Sequence, residues 1–373
     1  MSRDPRKHYD ALRSLPPARD ERGRWVIARH ADVVAVAADP VTFSSAVSRF
    51  LQVPNGLDGE AHRAARALLD PFFAADRMEA FEPAIRSVAD DLVAELVDKQ
   101  MFDAVGGLGA TFAVRGQSVW LGWPAHLESE LLDWMEDNHA ASRSGDLART
   151  AAVAAHFDAI VRSVLDVRRA AGAAAPNDLT TELVRLVDAN GQPLRDEVLV
   201  SILRNWTGGD LGSIALCAGV VLHGLAEQPD LQRHLRSASD AELLAAIDEF
   251  LRLDDPFVSN RRVATRPAEV GGHPVAAGEQ LVLNWTAANR DPDAFHGAES
   301  FDPQSHAAAN LVYGTGPHIC PGRPLASLEL LVLTRALLDA GQVSLAPDSE
   351  PEREQPPVGG FRHLPVVLHR RFA

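Results

Sequence analysis

The chain has 373 residues, 46% of them hydrophobic and 23% charged, with 36 Lys and Arg against 51 Asp and Glu for a net charge of −15. This balance excludes a disordered chain. Only two cysteines, Cys217 and Cys320, exclude a disulfide scaffold and point to a reducing, cytoplasmic setting. The acidic excess argues against nucleic acid as partner, because phosphate contacts need clustered Lys and Arg.

The N-terminus is polar and lacks the apolar core of a secretion signal. A short strand is expected at 24–28, then a helix at 30–38 that stops before Pro40. Residues 51–59 read as a loop containing Pro54, Asn55 and Gly56. Helical spacing then dominates over 60–70, 76–98, 127–140, 147–171, 178–188, 195–227 and 239–253, as in Ile85, Val88, Leu92 and Leu96. The longest apolar run, 213–222, has about half the length of a bilayer span, so no membrane association is expected.

Beyond Leu253 the texture changes. Short strands are expected at 262–265, 269–272 and 280–285, then an irregular stretch over 288–319, a last helix at 323–340 closed by Gly341, and a turn and strand over 357–368. The class is mainly α with a minor β part. No linker composition divides the chain, so one domain over 1–373 is expected. An irregular stretch of about 30 residues inside a compact domain is usually functional.

That stretch ends in Tyr313-Gly-Thr-Gly-Pro-His-Ile-Cys320-Pro-Gly322. Gly314, Gly316 and Gly322 allow tight turns and close approach to a flat ligand. Cys320 immediately precedes a helix N-terminus, where partial positive charge favours thiolate. A thiolate there could be a nucleophile, a zinc ligand or the axial ligand of haem iron. No Cys–His–Asn pattern supports the first, and His318-x-Cys320 alone is not a zinc pattern. The third remains.

The segment resembles the cysteine-ligand loop of the cytochrome P450 family, Phe-Gly-x-Gly-x-His/Arg-x-Cys-x-Gly, with Tyr313 in place of Phe. The resemblance runs from about Trp25 to Val366. It implies a P450-like fold, with haem b held between a long distal helix and the cysteine loop and its helix, and Cys320 as iron ligand. Other motifs agree. Glu249-Phe-Leu-Arg252 places its two charges on one helix face; alone such a pair marks any surface helix, but the family has it upstream of the cysteine loop as a buried ion pair. The family's third member, an Arg after Phe301-Asp302-Pro303, falls at Ser305, leaving His306 as the nearest replacement. Arg262, the pair His62 and Arg66, and His318 match the family's partners for the haem propionates. Ala287-Ala-Asn-Arg-Asp-Pro292 also resembles the family.

The helix over 195–227 departs from the family's Ala/Gly-Gly-x-Asp/Glu-Thr, whose acid and alcohol relay protons. Counted back from Gln228-Pro229-Asp230 without gaps, Ser213 takes the alcohol position, Gly212 the acid position, and Asp210 the preceding glycine. Aligning Asp210 with the acid instead needs a two-residue shift that puts Leu211 at the alcohol, and the ungapped register is preferred because helices tolerate insertions badly. Asp210 and Ser213 are three apart, on one face, and are the expected relay. Gly208, Gly209 and Gly212 weaken the helix by roughly 1 kcal/mol each relative to Ala, which suggests close approach of a ligand or a bulge. Cys217 reads as an inert buried thiol. Phe257, Val258, Phe361 and the 51–57 loop are the substrate contacts that family position implies, and they point to a small apolar organic molecule.

The resemblance implies a monooxygenase that inserts one atom of O2. Electrons would come from NAD(P)H through an external ferredoxin or flavodoxin with its reductase, docking near Arg63, Arg66 and Arg323. Alternatives are a peroxide-driven oxygenase, a haem-thiolate enzyme of rearrangement or coupling chemistry, and a non-catalytic haem-binding protein.

Overall fold

A computed structural model describes residues 4–370 except 15, 98, 100 and 189. Helices dominate, as the spacing predicts. The largest buried cluster lies among four of them: Ala75–Leu96, Ala110–Leu121, Asp210–Glu227 and Arg323–Ala340. Helix Asp210–Glu227 is apolar almost all round, from Leu211 and Ile214 to Leu222 and Leu225, which is the signature of a helix surrounded by protein. The stretch Asp196–Glu227 is long and apolar enough to cross a membrane by length and composition, yet most of it is buried inside this fold.

Most expected helices are found within a residue or two: Gly59–Leu69, Leu147–Ala171, Asp240–Leu253 and Arg323–Ala340. Helix Glu128–Ser144 runs four residues past its expected end. The helix expected at 76–98 spans Ala75–Leu96, residue 98 lying outside the described residues. The helix expected at 178–188 stops at Val184, because Val187 turns back across Gly191 (φ +74°) to bridge Pro193.

Ala110–Leu121, at the heart of the bundle, carries no clear signal in the sequence. The glycines in and beside it mark close packing. A Cβ at Gly109 would lie 2.8 Å from the Ala215 carbonyl, and one at Gly116 would lie 2.7 Å from Ile85 Cδ1.

The expected single helix over 195–227 is broken. Asp196–Leu203 is α-helical, Arg204–Gly208 is a π-helical turn closed by Gly209 N–H to the Arg204 carbonyl at 3.2 Å, and Asp210–Glu227 resumes the α-helix. Such a bulge often marks a functional site.

The minor β part flanks the bundle. A five-stranded sheet takes the order Ala18–Arg19, Trp25–Ile27, Gln280–Asn284, Ser259–Ala264, Phe43–Ser44. Trp25 pairs with Leu281 in the parallel sense, and Arg262 pairs with the same Leu281 in the antiparallel sense. This sheet buries Ile27, Val33, Leu281 and Leu283, and presents Arg262 towards the cysteine loop. A second sheet joins Phe102–Asp103, Pro365–Arg370 and Gly341–Leu345.

Candidate active site

The cysteine loop is irregular but tied down. Gly314 and Gly316 adopt left-handed φ of +70° and +73°, and a Cβ at Gly316 would lie 2.7 Å from the Ala37 carbonyl. Gly322 differs: its φ of −80° suits any residue. The Cys320 N–H donates to the Tyr313 carbonyl at 2.9 Å, closing the loop just before helix Arg323–Ala340. Tyr313, where the family has Phe, places its hydroxyl 3.3 Å from Ser327 Oγ.

Cys320 opens onto a cavity of about 300 Å³. The helix N-terminus does not govern its ionisation as expected. Burial pushes the thiol up, and the N–H groups of Gly322 and Arg323 only partly offset this. A bound metal cation reverses that balance, since a coordinating thiol is deprotonated outright.

Beside the cysteine, an arginine and two histidines gather around a single carboxylate, Asp58. Arg262 is buried, donates to the Arg261 carbonyl at 2.8 Å, and has no carboxylate partner among the described residues. Burial pushes its guanidinium down, the nearby Asp58 charge opposing. His62 and His318 stack with ring centroids 4.1 Å apart. Burial, His62 and Arg262 together push His318 down to about 4, against Asp58 Oδ1 at 3.2 Å. Burial and Arg66 push His62 down as well. A buried arginine and two suppressed imidazoles around one carboxylate form a site short of negative charge. The propionates of haem supply that charge, so these residues fit the cofactor.

Arg66 shares the His62 helix face but takes another part. It pairs with Asp70 at 2.5 Å and donates to the carbonyls of Pro317 (3.3 Å) and Ile319 (3.0 Å), bracing the cysteine loop. That engagement removes Arg66 from the cations free to meet a partner. Arg63 and Arg323 are more exposed, each beside an acid, Glu60 and Asp248.

The Glu249–Arg252 pair is fully buried, with contacts of 2.7 and 2.8 Å. Arg252 also donates to the carbonyls of Asn289 (2.7 Å), Ala298 (2.9 Å) and Ser300 (3.1 Å), clamping the irregular stretch to the helix. Burial pushes the Glu249 carboxyl up, but donors from Arg252, the Asp302 N–H and His306 outweigh it and hold it low. His306 completes the network: Nδ1 lies 2.8 Å from Glu249 Oε1 and Nε2 lies 2.9 Å from the His296 carbonyl. Both ring nitrogens thus face oxygen atoms, and the ring bridges the two sides of the network where the family has an arginine. His306→Ala is expected to remove one of the three donors to Glu249 Oε1 and the ring's contact with the His296 carbonyl, and so to lower haem retention. Equal haem content in both proteins after gel filtration across pH 6–8 would reject that role.

The opposite wall of the cavity is the bulged helix. Asp210, Ser213 and Cys217 all line it. Asp210 accepts a hydrogen bond from Gln117 Nε2, and burial raises its carboxyl to about 7 against that bond. Ser213 Oγ donates to the Gly209 carbonyl, one turn back, at 2.5 Å. The relay pair is therefore brought to one cavity, but each side chain is engaged with a different neighbour. Sequence reasoning missed Gln117 and Glu329. Glu329 is fully buried in helix Arg323–Ala340, neither carboxylate oxygen has a partner, and burial followed by the Asp210 charge pushes it well up. A lone Glu in Leu328-Glu329-Leu330 was the available signal. Burial keeps the Cys217 thiol neutral, as expected.

Of the expected substrate contacts, Phe257, Pro54 and Asn55 line the cavity. Val258 and Phe361 do not. Val258 is buried in a small cluster with Tyr9, Ala28 and Ala287. Phe361 is buried in the main core, with Arg353 over its ring at 4.1 Å. Strand pairing and core packing hold both away from the pocket.

A cysteine faces a bulged helix across a cavity, flanked by a buried arginine without a carboxylate partner and by two imidazoles, an arrangement that fits a haem. The family model described as cytochrome P450 matches residues 146–366. The chain is 30% identical to erythromycin C-12 hydroxylase of Saccharopolyspora erythraea, covering 94% of this chain and 91% of that one. It is 29% identical to cyclomarin C epoxidase CymV of Salinispora arenicola, covering 90% and 87%. A solved structure of a mutant of P450 EryK in complex with erythromycin B superposes with a TM-score of 0.86 at 28% identity, covering 99% of this chain and 97% of that one. The chain belongs to the cytochrome P450 family. It is a P450-type monooxygenase, an oxidoreductase, and its cofactor is haem b.

Proposed function

We propose that this chain acts as one cytoplasmic haem domain that inserts one atom of O2 into the apolar part of a small organic substrate. The other atom leaves as water, with two electrons from NAD(P)H and two protons. The electrons arrive through an external ferredoxin or flavodoxin with its reductase. The observation that carries this reading is that one cavity is bounded by Cys320 on one wall and by Asp210 and Ser213 on the other.

Cys320 Sγ is the iron ligand, and Arg262, His318 and His62 take the propionates. Arg66 holds the loop that presents the sulfur. When bound, the thiolate-ligated haem supplies the redox chemistry that activates dioxygen. The protein's own work is to position and to move protons. Asp210, buried and raised to about 7, holds a proton at its carboxyl near neutral pH, oriented by Gln117. Trp120, Trp206 and Phe73, with ring centroids 5.1 to 5.3 Å apart, give the cavity an apolar side that excludes water. Arg63 and Arg323 are the surface cations available to an acidic redox partner.

A second reading, oxygenation driven by peroxide, is favoured by one observation: Gly212 stands at the family's acid position and the Ser213 hydroxyl is committed to Gly209. Turnover of a probe substrate with NADH and a surrogate ferredoxin system is expected to exceed turnover with hydrogen peroxide alone. Turnover with peroxide and none with the redox chain would favour the second reading.

A further inference from the structure

A smaller cavity of about 170 Å³ adjoins the first, sharing Gly209, Ser213 and Phe257 with it. The bulged helix forms one side. Helix Glu128–Ser144 covers it, and the segment around Glu354 closes one end. The covering helix contributes Asn138, His139 and Ser142, positions that lie on neighbouring parts of one helix face. Among the described residues none of these three side chains has a hydrogen-bond partner. Polar groups lining a cavity without protein partners are left for water or a ligand to satisfy.

The charges at the edge of this cavity are already matched. Arg143 pairs with Glu354 at 3.0 Å, and the buried Glu354 also accepts the Gln355 N–H at 2.8 Å. An ionic ligand would therefore meet no free counter-charge. His139 reaches this place because residue 212 is glycine: a Cβ there would lie 2.8 Å from His139 Nε2. The imidazole thus stands over the position where the family carries its acid. Burial and Arg143 push the ring down against Glu354, which favours its neutral form, with one donor and one acceptor nitrogen. Asn138 and Ser142 likewise both donate and accept.

We propose that this cavity recognises a neutral group that both donates and accepts hydrogen bonds, a hydroxyl being the simplest, on a substrate whose apolar part lies over Cys320. The substrate is then amphipathic and not a plain hydrocarbon. This rests on the monooxygenase reading and adds the substrate class. His139, Asn138 and Ser142 are specificity residues, and Gly212 is the small residue that admits His139.

The test compares three probes of similar size on the holoenzyme by calorimetric titration: 1-octanol, its isomer 1-methoxyheptane, which cannot donate, and octanoate. Octanol is expected to bind tightest. His139→Leu is expected to weaken octanol about fivefold, the worth of one net hydrogen bond of about 1 kcal/mol. It should leave 1-methoxyheptane within twofold, because Leu keeps the apolar bulk. Equal binding of the three probes, preference for octanoate, no binding of octanol, or equal weakening of alcohol and ether by His139→Leu would each overturn the proposal. The reduced CO spectrum of the same samples separates the two levels. A holoenzyme with a thiolate-type spectrum and no alcohol preference fails this inference alone, whereas one without that spectrum fails the monooxygenase reading.

Discussion

Asp210→Asn is expected to cut the product formed per NADH consumed, diverting electrons to peroxide. A general acid of this kind contributes ~10²–10⁴-fold to its step. Asn keeps the side-chain shape, and its amide can be reoriented towards Gln117, so substrate binding should change little. The pH dependence has a definite sign. Burial raises the Asp210 carboxyl to about 7, so the proton is held below that pH and lost above it. Coupling in the wild type should therefore fall as pH rises through about 7, and the fall should be absent in Asp210→Asn. The same shift predicts a stability effect. The folded state holds this proton more tightly than the unfolded chain does, so its contribution to stability declines from about pH 4 to about pH 7. Thermal unfolding of Asp210→Asn should lack that part of the decline. Ser213→Ala should have a smaller effect on coupling, because its hydrogen is already given to the Gly209 carbonyl. Wild-type coupling in Asp210→Asn at all pH values would remove Asp210 from proton transfer.

Arg252→Leu carries the largest expected stability loss, about 3–5 kcal/mol, because it leaves the buried Glu249 carboxylate without its main partner. It also releases the carbonyls of Asn289, Ala298 and Ser300, so the segment leading to the cysteine loop should loosen and haem should dissociate faster. Replacing both partners by Leu should cost less than the sum of the single changes, since no lone charge then remains buried. Denaturant unfolding of the two single variants and the double variant reads this directly. A loss below about 1 kcal/mol for Arg252→Leu would show that the pair is not held as described.

Much of this site could be read from residue types at fixed spacing. The glycines, His318 and Cys320 impose a backbone that few other sequences need, and Glu249 and Arg252 meet because helical periodicity puts them on one face. His306 was legible as the nearest cation to the vacant arginine position. What stayed hidden depended on contacts between elements distant in sequence. Helix Ala110–Leu121 was masked because Gly109 and Gly116 serve close helix packing, which no local pattern distinguishes from a break. Gly212 was legible only as a helix-weakening residue at the family's acid position, and only the fold shows His139 standing above it. Phe361 and Val258 were placed by family position, and strand packing then decided that both face the core. Propensity records local preference, and tertiary contact overrides it at these points.

The account stands on Cys320 as the iron ligand, and the reduced, CO-bound absorption spectrum tests it most directly. The wild type and Cys217→Ser should both give the thiolate-type band, since Cys217 is a buried neutral thiol on the opposite helix. Cys320→Ser should lose that band while still retaining some haem through Arg262, His62 and His318. A thiolate-type band that persists in Cys320→Ser, or one that disappears in Cys217→Ser, would contradict the assignment.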